Sequence, residues 1–240
     1  MNRKACIIGA GPNGLAAAVV LGQAGLQVDV LEAEATPGGA ARTMELTLPG
    51  YRHDFGAAVY PLGAGSPFFS SLPLRDYGLE WIHSPAPLAH PFDDGTAVVL
   101  ERNLSDTEAS LGADGKGWRK LIQPFVDRWS EFARDVLRPV PAFPKHPWLM
   151  ARFGMNAILP ARTIALRFRN ERTQALFAGL AVHSFLSLDE PLSAAPGLLM
   201  AVLAHTVGWP IPRGGAQSLT DEPVPISGDT RRQSKDLFAS

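Results

Sequence analysis

Three features of the 240-residue sequence predict an α/β fold. A short apolar run, Lys4–Ile8, leads into a glycine-rich turn, and small and apolar residues follow from Leu15. A second apolar segment, LQVDVLEAE, follows Gly25 and closes on Glu32. A strand, a glycine turn, a helix and a second strand in this order form the βαβ unit of a doubly wound parallel sheet.

The opening residues could also be interpreted as a signal peptide, because two basic residues precede a long run without charge. A signal peptide needs an unbroken apolar core and a cleavage site between small residues. Here Pro12 and Asn13, among three glycines, interrupt the run after a few residues and favour a turn. With the signal peptide disfavoured, we expect a cytoplasmic location.

The composition is that of a chain with a large interior or an apolar cavity. Apolar residues make up 46% and charged residues 19%, against about a quarter in a typical soluble domain. The net charge of −1 gives no support to a nucleic acid partner. The single cysteine, Cys6, allows no disulfide within the chain, and we expect it to be buried in the first strand. None of the six histidines has metal-ligand spacing, so we expect no metal site.

The glycine turn has the spacing GxGxxG at Gly9, Gly11 and Gly14. In such a turn, the glycines allow a tight bend, a close approach of a pyrophosphate and close packing of the helix, whose N-terminus attracts phosphate. Glu32 lies 18 residues after Gly14, where an acid can accept hydrogen bonds from the ribose hydroxyls of an adenosine. The alternative for Glu32 is a strand end in solvent. The neighbouring candidate contacts are Ala10, Asn13 and Ala33.

The residues after Glu32 distinguish the two common dinucleotides. A second glycine pair, Gly38 and Gly39, precedes Arg42, and the segment LTLPGYRHDFG follows. Far downstream stands GWPIPRGG, ending at Gly215. These steps resemble those of the phytoene desaturase and amine oxidase group of FAD enzymes, specifically the branch of phytoene dehydrogenase-related and pyridine nucleotide-disulfide oxidoreductase domain 2-like proteins. The resemblance covers residues 4–219 and is most specific in the first 60.

The resemblance implies FAD as the cofactor and a set of residues that contact it. Those residues are Gly9, Gly11, Gly14, Glu32, Gly38, Gly39 and Arg42, with Gly56 and Ala57 near the flavin ring. The chain departs from the family at Ala40, where many relatives carry an arginine directly after the glycine pair. Here the arginine comes two residues later, at Arg42, and its contact with the pyrophosphate is left open, whereas the glycine turn is retained.

The middle of the chain predicts a second, mixed domain that would cap the cofactor and bind substrate. LAHPFDDGTAVVL predicts a hairpin, and an apolar stripe that includes Phe125, Trp129 and Phe132 predicts one longer helix with a kink at Pro124. The apolar segment 191–207 predicts a buried helix that is slightly short for a membrane span. We therefore expect a Rossmann-like FAD-binding domain that is incomplete, joined to a substrate or cap domain of one hairpin and helices. The boundaries are 1–66 for the first part, 67–207 for the cap, 208–219 for the return to the first domain, and 220–240 for a tail.

The tail is polar, lacks periodicity and contains Pro223 and Pro225, so we expect disorder there. Because the family pattern stops after Leu219, we expect a truncated chain that holds the N-terminal half of the fold.

Three functions follow from these features. The first is an FAD-dependent oxidoreductase that takes a hydride from a small hydrophobic substrate, with peripheral membrane contact left open and no oligomeric state assigned. The second is an NAD-binding dehydrogenase, which explains Glu32 equally well but leaves Gly38 and Gly39 unexplained. The third is a non-catalytic remnant. No catalytic acid or base can be assigned.

Overall fold

A computed structural model of the chain describes residues 3–139, 142–221 and 231–234. The described residues fall into two units, one from 3–60, 72–82, 211–221 and 231–234, the other from 61–71, 83–139 and 142–210. The domain boundaries expected from the sequence, after residues 66 and 207, stay a prediction.

The secondary structure alternates between short strands and helices in the first unit and is mainly helical in the second. The strands are β1 Lys4–Ile8, β2 Gln27–Glu32, β3 Thr43–Glu45, β4 Arg52–Asp54, β5 Trp81–Ile82, β6 Leu88–Pro91, β7 Ala97–Leu100, β8 Ile211–Pro212 and β9 Arg231–Ser234. The helices are α1 Pro12–Gln23, α2 Pro61–Gly65, α3 Pro67–Ser71, α4 Leu104–Ser110, α5 Gly115–Val126, α6 Trp129–Val136, α7 Pro147–Ala157, α8 Ala161–Ala165, α9 Glu171–Ala181, α10 Ala194–Thr206 and α11 Ser218–Asp221.

The first unit is built on a parallel sheet of order β1-β2-β9. Its core lies between the sheet and α1 and contains Ala18, Val28 and Val30, each at most 5% exposed. Gly25 adopts a φ of +82° just beyond the end of α1, as expected of a glycine that terminates a helix. The α/β, Rossmann-like fold predicted from the βαβ pattern is thereby confirmed.

Two expectations about this unit need correction. Cys6 is exposed rather than buried, because β1 alternates and only Ala5 and Ile7 pack towards α1. Ile8, on the same face as Cys6, is 84% exposed, so nothing in the described part of the chain covers that face. The tail is also not wholly irregular, because Arg231–Ser234 form β9 beside β2. The rest of 222–240 lies outside the described residues.

The second unit packs its helices around one aromatic and aliphatic core. The largest buried side chains include Trp118, Phe125, Phe132 and Phe177, and β6 pairs with β7 as the predicted hairpin. The stripe expected as one kinked helix forms two helices, since α5 ends at Val126 and α6 begins at Trp129. The predicted buried helix in 191–207 is confirmed as α10. No helix in the described ranges is long and apolar enough to cross a membrane.

A buried hydrogen bond joins two helices of this core. The indole Nε1 of Trp118 donates to His205 Nε2 at 3.1 Å, and His205 is 8% exposed. Burial, which disfavours the charged imidazolium, lowers the pKa of His205 from its ordinary value to about 4. His205 is therefore a neutral residue of the core at neutral pH.

Candidate dinucleotide-binding site

The GxGxxG turn joins β1 to α1 through backbone positions that require glycine. Gly9 has a φ of +96°, and its N–H donates to the Leu31 carbonyl at 2.7 Å. A Cβ on Gly14 would lie 2.1 Å from the carbonyl oxygen of Gly9, well inside van der Waals contact. Helix α1 therefore approaches the turn as closely as it does only because position 14 has no side chain.

The N-terminus of α1 is open to an anionic ligand. Gly11, at the N-cap, supplies no capping side chain, Pro12 follows at the first helical position, and the first turn contains no acidic residue. The N–H groups of Asn13 and Gly14 have no acceptor within the helix, because the first hydrogen bond of α1 is donated by Leu15 to Gly11. These donors and the positive end of the helix dipole would suit a phosphate group.

Glu32, at the end of β2, is tied to the same turn. Its Oε2 accepts from the Ala10 N–H at 2.6 Å and its Oε1 from the Glu34 N–H at 3.0 Å. The hydrogen bond from Glu34, aided by that from Ala10, lowers the pKa of Glu32 against the opposing effect of burial. A carboxylate has lone pairs beyond these two, so Glu32 can still accept from hydroxyl donors. Its ribose role stays a prediction.

The second glycine turn lies directly against the first. The Gly38 N–H donates to the Ala10 carbonyl at 2.9 Å. A Cβ on Gly39, which has a φ of +54°, would lie 3.2 Å from the Cα of Gly11. The structure therefore brings the two turns into backbone contact with no side chain between them. The hydrogen-bonded residues 10 and 38 are separated by 27 residues in the sequence.

Arg42 stabilises the second turn internally. Its Nε donates to the Gly39 carbonyl at 2.9 Å, its guanidinium lies 3.1 Å from Glu34 Oε2, and it stacks over the Phe55 ring at 5.3 Å. These three partners account for the position of the side chain without a ligand. The pyrophosphate contact implied for Arg42 stays a prediction.

Gly56 and Ala57 follow β4 and pack beside the residues after the glycine pair. The Gly56 N–H donates to the Ala40 carbonyl at 3.1 Å, and a Cβ on Gly56 would lie 2.7 Å from the Ala40 Cβ. The Ala57 carbonyl accepts from the Tyr60 hydroxyl at 2.7 Å. Burial, together with the charge of Asp54, raises the pKa of Tyr60 to about 12, so its hydroxyl stays a donor at neutral pH. The flavin-side role of Gly56 and Ala57 stays a prediction.

Comparison with known proteins agrees with this geometry. Residues 7–72 match the model of the NAD(P)-binding Rossmann-like domain family. The chain is 29% identical over 219 residues to a hydroxyneurosporene desaturase of Rhodobacter capsulatus, covering 82% of this chain and 41% of that protein. It is 33% identical over 213 residues to pyridine nucleotide-disulfide oxidoreductase domain-containing protein 2 of Rattus norvegicus, covering 87% of this chain and 31% of that protein. The resemblance to phytoene desaturase-related proteins that the sequence predicts is thereby confirmed.

Solved structures share the fold of this chain. A putrescine oxidase bound to putrescine superposes with a TM-score of 0.53 at 18% identity, covering 92% of this chain and 48% of that chain. Identity at this level shows the shared fold alone. The chain spans 41% and 31% of the two curated relatives above, so it corresponds to less than half of either protein.

Sequence reasoning missed a set of hydrogen bonds that joins the β3–β4 hairpin to residues 216 and 217. Asp54 Oδ1 accepts from the Thr43 hydroxyl at 2.6 Å and from the Ala216 N–H at 2.8 Å. The Thr43 hydroxyl in turn accepts from the Gln217 N–H at 3.0 Å. A Cβ on Gly215 would lie 2.5 Å from the Thr43 hydroxyl, so the late glycine pair allows this close approach. The DFG step contained the signal for Asp54, but no local pattern indicates its distant partners.

Proposed function

We propose that the first unit binds FAD and that the chain is an FAD-dependent oxidoreductase, which takes a hydride from a hydrophobic substrate. One observation carries the proposal: the backbone contact between the GxGxxG turn and the turn of Gly38 and Gly39. A dinucleotide site for NAD needs only the first turn. A second turn of glycines at its side extends the surface that an elongated dinucleotide can approach.

Each residue of the site has a proposed task. The N–H groups of Asn13 and Gly14 would bind the pyrophosphate, and the absence of a Cβ on Gly11 would allow its approach. Glu32, ionised at neutral pH, would accept hydrogen bonds from the adenosine ribose and disfavour a 2′-phosphate by charge repulsion. Gly56 and Ala57 would lie on the flavin side of the site.

FAD, when bound, supplies an acceptor for a hydride, which carries two electrons and a proton. The chain itself would bind and orient this group, and no acid or base need take part in hydride removal. The low charged fraction of the sequence and the hydroxyneurosporene desaturase among its relatives support a hydrophobic substrate. The activity and substrate are proposals because the chain matches only part of each relative.

The test is a titration of the purified chain with FAD and, separately, with NAD⁺, followed by flavin or protein fluorescence. We expect FAD to bind more tightly than NAD⁺. Glu32→Gln should weaken FAD binding by about tenfold, since a hydrogen bond to a charged group contributes about 1.5–3 kcal/mol. The control is Glu45→Gln, an exposed acid on β3 with the same change of charge. Tighter binding of NAD⁺ would reject the FAD assignment, and equal FAD affinity in both variants would reject the role of Glu32.

A further inference from the structure

The second unit contains an open cleft that is separate from the residues of the proposed cofactor site. It has a volume of about 590 Å³, within the range of small-molecule sites. Residues at the start of α5, along α7, and at and after α8 form its walls.

Positive charge is concentrated in this cleft although the whole chain is nearly neutral. Four of the lining residues are cationic and one is a carboxylate, a local balance of +3 in a chain of net charge −1. The cations are Lys120, Arg152, Arg167 and Arg169. In the part of the chain that the structure describes, none of the four lies within 4 Å of an acidic oxygen.

The one carboxylate of the cleft, Asp114, accepts hydrogen bonds from two backbone N–H groups, and the positive charge of the lining residue Arg169 also attracts it. Its Oδ1 accepts from the Arg169 N–H at 2.8 Å and its Oδ2 from the Asn170 N–H at 2.7 Å, directly before α9. Asp114 therefore serves the backbone at the start of α9. Like charges brought to one cleft repel each other, and an anionic ligand would relieve that repulsion.

Much of the remaining lining is apolar. Ile164 is fully buried and Phe168 is 6% exposed, with its ring 6.0 Å from that of Trp118 in the core. Leu121 and Met155 add further apolar surface. A ligand of this cleft would therefore place a charged group on the cations and an apolar portion on the floor.

We propose that this cleft binds a phosphate-bearing ligand with an apolar portion, from either a phospholipid headgroup or a soluble phosphate ester. Three of its four cations are arginines, whose planar guanidinium groups bind phosphate oxygens in pairs. Arg167 is oriented by its hydrogen bond to Asn156 Oδ1 at 2.7 Å, itself a lining residue. The proposed FAD site uses none of these side chains, so the two proposals can fail independently.

The test compares the full chain with a variant that removes two of the cleft's charges, Lys120→Gln with Arg152→Gln. The matched control, Arg134→Gln with Arg162→Gln, removes the same charge from exposed arginines outside the cleft. Calorimetric titration uses inorganic pyrophosphate, and sedimentation uses vesicles of phosphatidylcholine with and without phosphatidylglycerol. Because the start of α1 also attracts anions, the readout is the difference between variants. Circular dichroism melting establishes that both variants fold.

We expect the cleft variant to bind pyrophosphate about tenfold more weakly than wild type, and the control to match wild type. Loss of phosphatidylglycerol vesicle binding in the same variant would support a phospholipid as the source. Pyrophosphate binding without vesicle binding would support a soluble phosphate ester. Equal affinities in all three proteins, or an equal loss in the control, would overturn the proposal.

Discussion

Gly14→Ala is the substitution that tests the close approach of α1 to the glycine turn. The added Cβ would lie 2.1 Å from the Gly9 carbonyl oxygen and 3.2 Å from its carbonyl carbon. An ordinary contact needs more than about 3 Å, so the helix start or the turn must move by about 1 Å. Both belong to the backbone, and no flexible side chain can give way in their place.

The expected cost follows from two opposing effects. Forcing extra volume into a packed site costs about 1–3 kcal/mol or more, and the displaced atoms here are main-chain atoms. Alanine in a helix gains about 1 kcal/mol over glycine, which offsets part of this cost. We expect the first unit to lose about 2 kcal/mol of unfolding free energy, a fall of roughly 8–16 °C in its melting temperature.

Thermal melting followed by circular dichroism measures this effect. Gly154→Ala is the matched control, because Gly154 lies inside α7 with no atom within 4 Å of its added Cβ. It should raise the unfolding free energy by up to about 1 kcal/mol. If Gly14→Ala melts at or above the wild-type temperature, the close-packing argument for the glycine turn is wrong.

Two further predictions concern the second turn and the buried histidine. Gly39→Ala should lower the free energy of unfolding by about 1–2 kcal/mol, because Gly39 has a positive φ and its added Cβ would contact Gly11. The control in urea titration is Gly95→Ala, because Gly95 also has a positive φ but open space around its added Cβ. Equal losses in the two variants would contradict a contribution from the contact with Gly11. His205 has a folded pKa of about 4, below its ordinary value of 6.5, so the unfolded chain binds its proton first as the pH falls. The contribution of neutral His205 to the free energy of unfolding is fully present above pH 6.5 and should decrease by about 3 kcal/mol towards pH 4. In urea titrations over this pH range, His205→Gln should lack this part of the pH dependence.

The sequence was sufficient for the βαβ unit because each of its parts is local. Strand, turn, helix and strand follow one another over 4–32, and the spacing of Gly9, Gly11 and Gly14 constrains how they meet. The β6–β7 hairpin was predictable for the same reason, since its turn and both strands are contiguous. The exposure of Cys6 could not be predicted, because apolar residues in a strand do not reveal which face of the strand the rest of the chain covers.

The two glycine turns of the candidate site were recognisable in the sequence, but the contacts between them were not. Motifs indicated both glycine turns, yet their contact through Gly11 and Gly39 depends on how the chain returns to the first turn after β2. Arg42 was expected to contact FAD, with a pyrophosphate contact left open, and the sequence did not indicate its neighbours Glu34 and Phe55. The bond from Ala216 to Asp54 spans 162 residues, a separation that no local pattern encodes.

The central claim is that the two glycine turns form one site for FAD. The most direct measurement is the absorption spectrum of the purified chain, with identification of any cofactor released on denaturation. We expect the protein to show flavin absorption bands, either as purified or after addition of FAD and removal of the excess. We also expect it to release FAD on denaturation. A colourless protein that retains no flavin after incubation with FAD would contradict the claim.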